Sequence, residues 1–216
     1  MDTIALTQGL SKRIGSTLVI NELDLAIPAG ATAVILGESE SGKSVLLKLL
    51  AGLLPYTQGR IEIAGEDPLT PAAHSVVAYH AAHPSLPGHM TVPELVRFFA
   101  TLFSDFDENK ATALLSELRV KMDKRIKQFS KSTRVKIALI LTMCRRPRLY
   151  LLDEPITGDD ATKEYLLRII LENRAEGAAL LIATKDASLL RTHADQIYLL
   201  ADGKLCCEEN GGDTTC

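Results

Sequence analysis

Long apolar runs are missing from this sequence. No stretch approaches the roughly 20 residues that a membrane-spanning helix needs, and the opening "MDTIALTQGLSKR" lacks the apolar core of a signal peptide. Excess charge of either sign is missing too. The 24 basic and 27 acidic residues leave a formal charge of -3, which gives no overall electrostatic reason to expect a nucleic-acid partner. The basic stretch "KMDKRIKQFSKSTRVK" reads as the solvated face of a helical region. Cysteine is scarce: Cys144, Cys206, Cys207 and Cys216 do not form the paired clusters of a structural zinc site, and they read as bystanders in a reduced compartment. Aromatic residues make up only 5%, yet 46% hydrophobic content over 216 residues suffices for one sizeable α/β domain. Repeats and low-complexity linkers are also lacking.

What is present is an alternation of elements. "TIALTQGL" and "STLVINELDLAI" read as short strands, and Pro28, Ala29 and Gly30 punctuate the chain before the buried strand "ATAVILG". A helix through about Leu53 and a hairpin-like "GRIEIAGEDP" follow. From about residue 91 to about 145 the pattern turns helical, as an inserted subdomain. Then "LYLLDEP" reads as a strand, "ATKEYLLRIILENRAEG" as a helix, "AALLIAT" as a strand, "DASLLRTHA" as a helix and "QIYLLADGK" as a strand. Such alternation predicts an α/β fold with a largely parallel sheet covered on both faces. A single domain over residues 1–210 is expected, with residues 211–216 as a frayed polar tail.

The chemistry concentrates in two places. "GESESGKS", between an apolar strand and a helix, matches G-x-x-x-x-G-K-[ST] at Gly37, Gly42, Lys43 and Ser44. Glycines at those positions let backbone N–H groups turn toward phosphate oxygens, and the helix N-terminus adds a favourable dipole. Lys43 is expected to reach the β and γ phosphates and the Ser44 hydroxyl to ligate Mg²⁺. The nucleotide cradle thus runs through Gly37, Glu38, Ser39, Glu40, Ser41, Gly42, Lys43, Ser44 and Val45. Two carboxylates beside a polyanion raise the cost of binding, so Glu38 and Glu40 are expected to point outward. About a hundred residues on, "LYLLDE" delivers Asp153 to the Mg²⁺ shell and places Glu154 to polarise an attacking water.

With both motifs in hand, the sequence resembles the nucleotide-binding subunit of ATP-binding cassette (ABC) transporters over about residues 3 to 205. "ITGDD" looks like the D-loop, with Asp160 at its acidic position. "MTVPELVRFFATLFSDFDENKATALL" and "FSKSTRVKIALILTMCRRPRLYLLDEP" look most like bacterial ATPase subunits serving exporters with a separate permease chain. The resemblance implies a P-loop NTPase core with an N-terminal antiparallel β subdomain, ATP and Mg²⁺ as cofactors, and two cassettes closing face to face around two shared nucleotides.

Several positions depart from the family pattern. "FSKST" stands for the Leu-Ser-Gly-Gly-Gln signature, keeping Ser130 but placing Ser132 at the second glycine. In "IATKD" the switch histidine is replaced by Lys185, a point charge that cannot accept a hydrogen bond as neutral imidazole can. The adenine-stacking aromatic falls at Ile14, and Ala82 falls at the position of a glutamine that normally contacts Mg²⁺ or water. His80, His83 and His89 lie in the segment that resembles the permease-receiving loop and read as exposed loop histidines.

Three functions stay open at this stage. One is an ATPase subunit that drives a transmembrane exporter, cytoplasmic and held peripherally at the inner membrane face by its permease. The second is a non-hydrolytic or very slow regulatory ATP-binding half of a homo- or heterodimer, favoured by Ile14, Ala82, Ser132 and Lys185. The third is a soluble cassette acting in DNA repair or on ribosomes, which lacks here its coiled-coil insertion or second cassette.

Overall fold

The computed structural model describes residues 2–208 and the backbone of residues 214–215. The chain divides into two compact units, one comprising residues 1–79, 147–154 and 176–216, the other residues 80–146 and 155–175.

The first unit contains two sheets. In the three-stranded sheet, ordered β2-β1-β4, β1 (Thr3–Ile14) pairs antiparallel with both β2 (Thr17–Pro28) and β4 (Gln58–Ile63). β1 runs beyond the "TIALTQGL" read from sequence. Gly9 bends within the strand as a bulge, with φ +53°, and its N–H is met by Asp24 Oδ1 at 2.6 Å.

The seven-stranded sheet is ordered β10-β9-β8-β3-β7-β6-β5. Its members are β3 (Thr32–Leu36), β5 (Val77–His80), β6 (Leu149–Asp153), β7 (Ala179–Thr184), β8 (Gln196–Ala201), β9 (Lys204–Glu208) and β10 (Thr214–Thr215). β3 lies parallel to β7 and β8, and β6 parallel to β7, whereas β9 returns antiparallel to β8. The fold class read from sequence is therefore observed: α/β, with a mostly parallel sheet and a separate antiparallel one. Every residue of β6 and β7 is buried, which is why both read as unbroken apolar runs. Helix α1 (Lys43–Leu50) packs against β6 and β7 as well as β2 and β4, with Leu46, Leu47, Leu49 and Leu50 fully buried.

The expected helix over "DASLLRTHA" does not form; the segment is a series of turns. Asp186 Oδ1 accepts from Ser188 N at 2.9 Å, the local side-chain bond with which Asp competes against helix. The short helix α2 (Pro71–Ser75) precedes β5. Of the expected frayed tail, residues 211–213 and 216 lie outside the described residues, while Thr214–Thr215 pair antiparallel with Glu208 and Cys207. Nor are all the cysteines bystanders: Cys144 and Cys207 are free thiols, but Cys206 is disulfide-bonded.

The second unit is helical: α3 (Val92–Leu102), α4 (Glu108–Glu117), α5 (Lys131–Met143) and α6 (Asp160–Asn173), with a short 3₁₀ turn at Ile126–Gln128. Val92, Leu95, Ala111, Leu115, Ile137 and Ile140 are fully buried in its core. Lys110 Nζ donates to Met143 O and Asn173 O, both at 3.1 Å, so one ammonium joins the start of α4 to the C-terminal ends of α5 and α6, where cations are favoured.

The structure corrects one histidine. His83 and His89 are exposed, but His80 ends β5 with 1% exposure, and neither ring nitrogen has a hydrogen-bond partner among the described residues. Burial lowers its pKa from 6.5 to about 4, so the unfolded chain takes up this proton first as pH falls. Stability contributed by neutral His80 is lost between these two values. Between about pH 7 and about pH 5 the loss is expected to be about 2 kcal/mol. Urea denaturation at both pH values should show a shallower decline for His80→Gln, and equal declines would contradict this origin.

Candidate functional site

The phosphate loop leaves β3, the central buried strand, and ends where α1 begins. Gly42 N-caps α1 at φ +103°, a conformation that side chains with a Cβ rarely adopt. At Gly37 a Cβ would lie 2.6 Å from both Leu200 O and Ser41 Oγ, so the loop lies directly on β8. Glu38, Ser39 and Glu40 are all exposed and line the open cleft beside the loop. Ser44 and Val45 follow in the first turn of α1, partly exposed.

Lys43 is 5% exposed, and its Nζ donates to Gly37 O at 2.6 Å and Glu38 O at 2.7 Å. The ammonium therefore spans the mouth of its own loop. Burial lowers its pKa, opposed by the negative charges of Glu154 and Asp153 and reinforced by the positive charge of Lys185. Charges from three separate segments, at Lys43, at Asp153 and Glu154, and at Lys185, thus meet around Lys43 in a single unit.

Asp153 ends β6. It is 2% exposed, and its Oδ1 has no hydrogen-bond partner among the described residues. A buried carboxylate oxygen left unpaired is costly unless something cationic meets it, and this fits a hard divalent cation such as Mg²⁺, which takes oxygen donors of the kind that the Ser44 hydroxyl could supply. Next in the chain, Glu154 has φ +45°, unusual for a residue with a Cβ. Its N–H donates to Ala183 O at 2.9 Å, which holds that conformation against β7, and its side chain is partly exposed. Thr184, which no sequence motif singled out, places Oγ1 3.3 Å from Glu154 Oε2. Its only signal was adjacency to Lys185 in "IATKD". Tyr79 is a further neighbour: its hydroxyl has no hydrogen-bond partner among the described residues, and burial, followed by the charge of Asp153, raises its pKa.

Lys185 is exposed and shares with Gly37 to Ser41 and the Ala201–Asp202 turn an open cleft of about 620 Å³. Ile14, at the end of β1, is 50% exposed, and Leu18 on the adjoining strand is 37% exposed. The surface expected to meet a base is thus aliphatic.

Ala82, Ser130, Ser132 and Asp160 belong to the other unit. Ser130 is the N-cap of α5: its Oγ accepts from Thr133 N at 3.1 Å and lies 2.9 Å from Thr133 Oγ1. Ser132 is exposed in the first helical turn. Asp160 opens α6 with its side chain 98% exposed and 3.8 Å from Lys163 Nζ, while the neighbouring Asp159 caps that helix by accepting from Thr162 N at 2.8 Å.

The chain is similar to known proteins in sequence and fold. The chain is 31% identical over 215 residues to the lactose transport ATP-binding protein LacK of Rhizobium radiobacter, with 94% of this chain and 58% of LacK covered. It is 29% identical over 210 residues to the alpha-glucoside transport ATP-binding protein AglK of Rhizobium meliloti, with 93% and 58% covered. The chain thus spans about 58% of the length of these curated relatives. A solved ATP-binding subunit of an ABC transporter superposes with TM-score 0.85 at 24% identity, covering 97% of this chain and 90% of its own. An ABC transporter ATP-binding protein from Pyrococcus furiosus superposes with TM-score 0.77 at 21% identity, covering 91% and 96%. The ABC transporter family profile matches residues 20–157, from β2 through the phosphate loop and the helical block to the acidic strand, and the chain belongs to that family.

Proposed function

We propose that this chain is the ATP-binding subunit of a membrane transporter, coupling Mg²⁺-dependent ATP binding and hydrolysis to closure of a cassette dimer and movement of a permease. The observation that carries this reading is the convergence of Lys43, Asp153 and Glu154 in one unit, with an unpaired buried oxygen on Asp153. Gly37 to Val45 bind the triphosphate, Ser44 and Asp153 hold Mg²⁺, Glu154 orients water, and Lys185 adds a cation near the γ-phosphate. Bound at that site, Mg²⁺ would offset the negative charge of the phosphates. Ile14 lies under the base. Ser130, Ser132 and Asp160 face the second cassette, and Ala82 belongs to the segment that meets the permease. Residues 1–210 act as one ATP-binding domain with a helical part at about 91–145, cytoplasmic and held at the inner membrane face through the permease.

The segments from "MTVPELVRFF" to "LYLLDEP" resemble exporter ATPases, and we assign the chain to that side. The names of LacK and AglK speak of lactose and alpha-glucoside transport; the cargo of this chain is set by its permease. A second reading, a slow regulatory half of an asymmetric dimer, is favoured by Lys185, by Ser132 and by the Ser130 hydroxyl engaged in its own helix cap.

Both readings are separated by the turnover of the purified chain. Four departures lie in each site of a homodimer, so the isolated chain is expected to be mainly monomeric with feeble Mg²⁺-dependent phosphate release that rises when its permease or a second cassette is added. Lys185→His combined with Ser132→Gly should raise the basal rate about tenfold. Brisk turnover of the unmodified chain, lost in Glu154→Gln, would show a fully competent homodimer and refute the impaired-site account.

A further inference from the structure

The end of β7 contains a hydroxyl with more partners than protons. Thr184 is 7% exposed. Its Oγ1 lies 3.3 Å from Glu154 Oε2, 3.1 Å from Asp186 O and 3.2 Å from Asp186 N. A hydroxyl owns one proton and two lone pairs. Asp186 N–H donates to a lone pair, so the single Oγ1–H is shared between the Glu154 carboxylate and the Asp186 carbonyl. The carbonyl is the nearer acceptor at 3.1 Å, and the carboxylate at 3.3 Å competes for the same proton through its charge.

Glu154 depends on that bond. Its backbone is held by the N–H to Ala183 O, but among the described residues Thr184 Oγ1 is the hydrogen-bond donor to its carboxylate. A glutamate carboxylate, set by three side-chain torsions, has no fixed direction without such a contact. We propose that Thr184 is a positioning residue for Glu154. Its hydroxyl holds Oε2 so that Oε1 is the oxygen presented to water, and it ties this orientation to the Asp186 peptide that follows Lys185. This inference rests on the hydrolytic reading of Glu154.

Valine replaces threonine with little change in volume and removes only the hydroxyl, whereas serine keeps the hydroxyl and loses a methyl group. Single-turnover phosphate release, with the full chain in excess over radiolabelled MgATP, should fall about tenfold in Thr184→Val while ATP affinity is unchanged. Thr184→Ser should recover most of the rate, and Thr184→Val added to Glu154→Gln should cost nothing further. Thr184→Ala serves as a second hydroxyl-free variant, with melting temperatures recorded for all.

Wild-type release by the hydroxyl-free variants, with Glu154→Gln inactive, would overturn the role of Thr184 alone. Equal losses in the serine and valine variants would mean packing rather than the hydrogen bond, and would overturn it too. Release by Glu154→Gln at the wild-type rate, or none from the wild type, would overturn the hydrolytic reading along with it.

Discussion

Lys43→Ala is expected to weaken MgATP binding by about 100-fold or more, because the lost ammonium is the buried cation that would hydrogen-bond the terminal phosphates. Its present bonds make the case. Nζ is held between Gly37 O and Glu38 O at 2.6 and 2.7 Å, so the charge is already fixed at the loop before any ligand arrives, and little side-chain entropy remains to be lost. Removing it leaves Asp153 and Glu154 as negative charges acting on the anion site, which opposes a polyanion further. Lys43→Arg keeps the charge but widens the head group beyond the space between two carbonyls, so it should recover affinity only in part. Titration calorimetry with MgATP measures both variants. Unchanged affinity in a folded Lys43→Ala protein would remove the phosphate-loop assignment.

Glu154→Gln is expected to keep MgATP bound while phosphate release falls about 100-fold or more, the scale of losing a positioned general base. The side chains have nearly the same shape, and glutamine Oε1 still accepts from Thr184 Oγ1, so the geometry survives and the proton acceptor does not. Binding is expected to persist because Lys43 and the loop amides provide most of the attraction. Filter retention of labelled ATP alongside phosphate release separates the two effects. Parallel losses of both would make Glu154 a binding residue.

Much of this was legible before any coordinates. The phosphate loop, α1 and the Asp153–Glu154 strand each carry a local signature, because glycine placement and a fully apolar strand are dictated by short-range geometry. What escaped detection depends on tertiary contacts. His80 reads as a loop histidine among prolines and glycine, but β5 runs one residue into that polar segment and buries it. The apolar spacing of "DASLLRTHA" suits a helix, but Asp186 ties its side chain to Ser188 N and its backbone N–H to Thr184 Oγ1, and turns result. Gly9 looks like the end of a strand, and only the paired Asp24 shows that the strand continues through a bulge. Thr184 has no motif of its own, because its relation to Glu154 crosses from β7 to β6. Ser130 was expected as a contact for the partner's nucleotide, whereas in this chain its oxygen caps α5; both roles use the same N-terminal turn, and the sequence alone does not distinguish them.

The central claim is that nucleotide is shared between two cassettes, and light scattering of Glu154→Gln tests it most directly. Without nucleotide the variant should run as a monomer. With MgATP, hydrolysis is blocked and a dimer of twice the mass should accumulate, dispersing when ATP is removed with Mg²⁺. The same monomer fraction with and without MgATP, in protein that calorimetry shows to be saturated with ATP, would contradict the account.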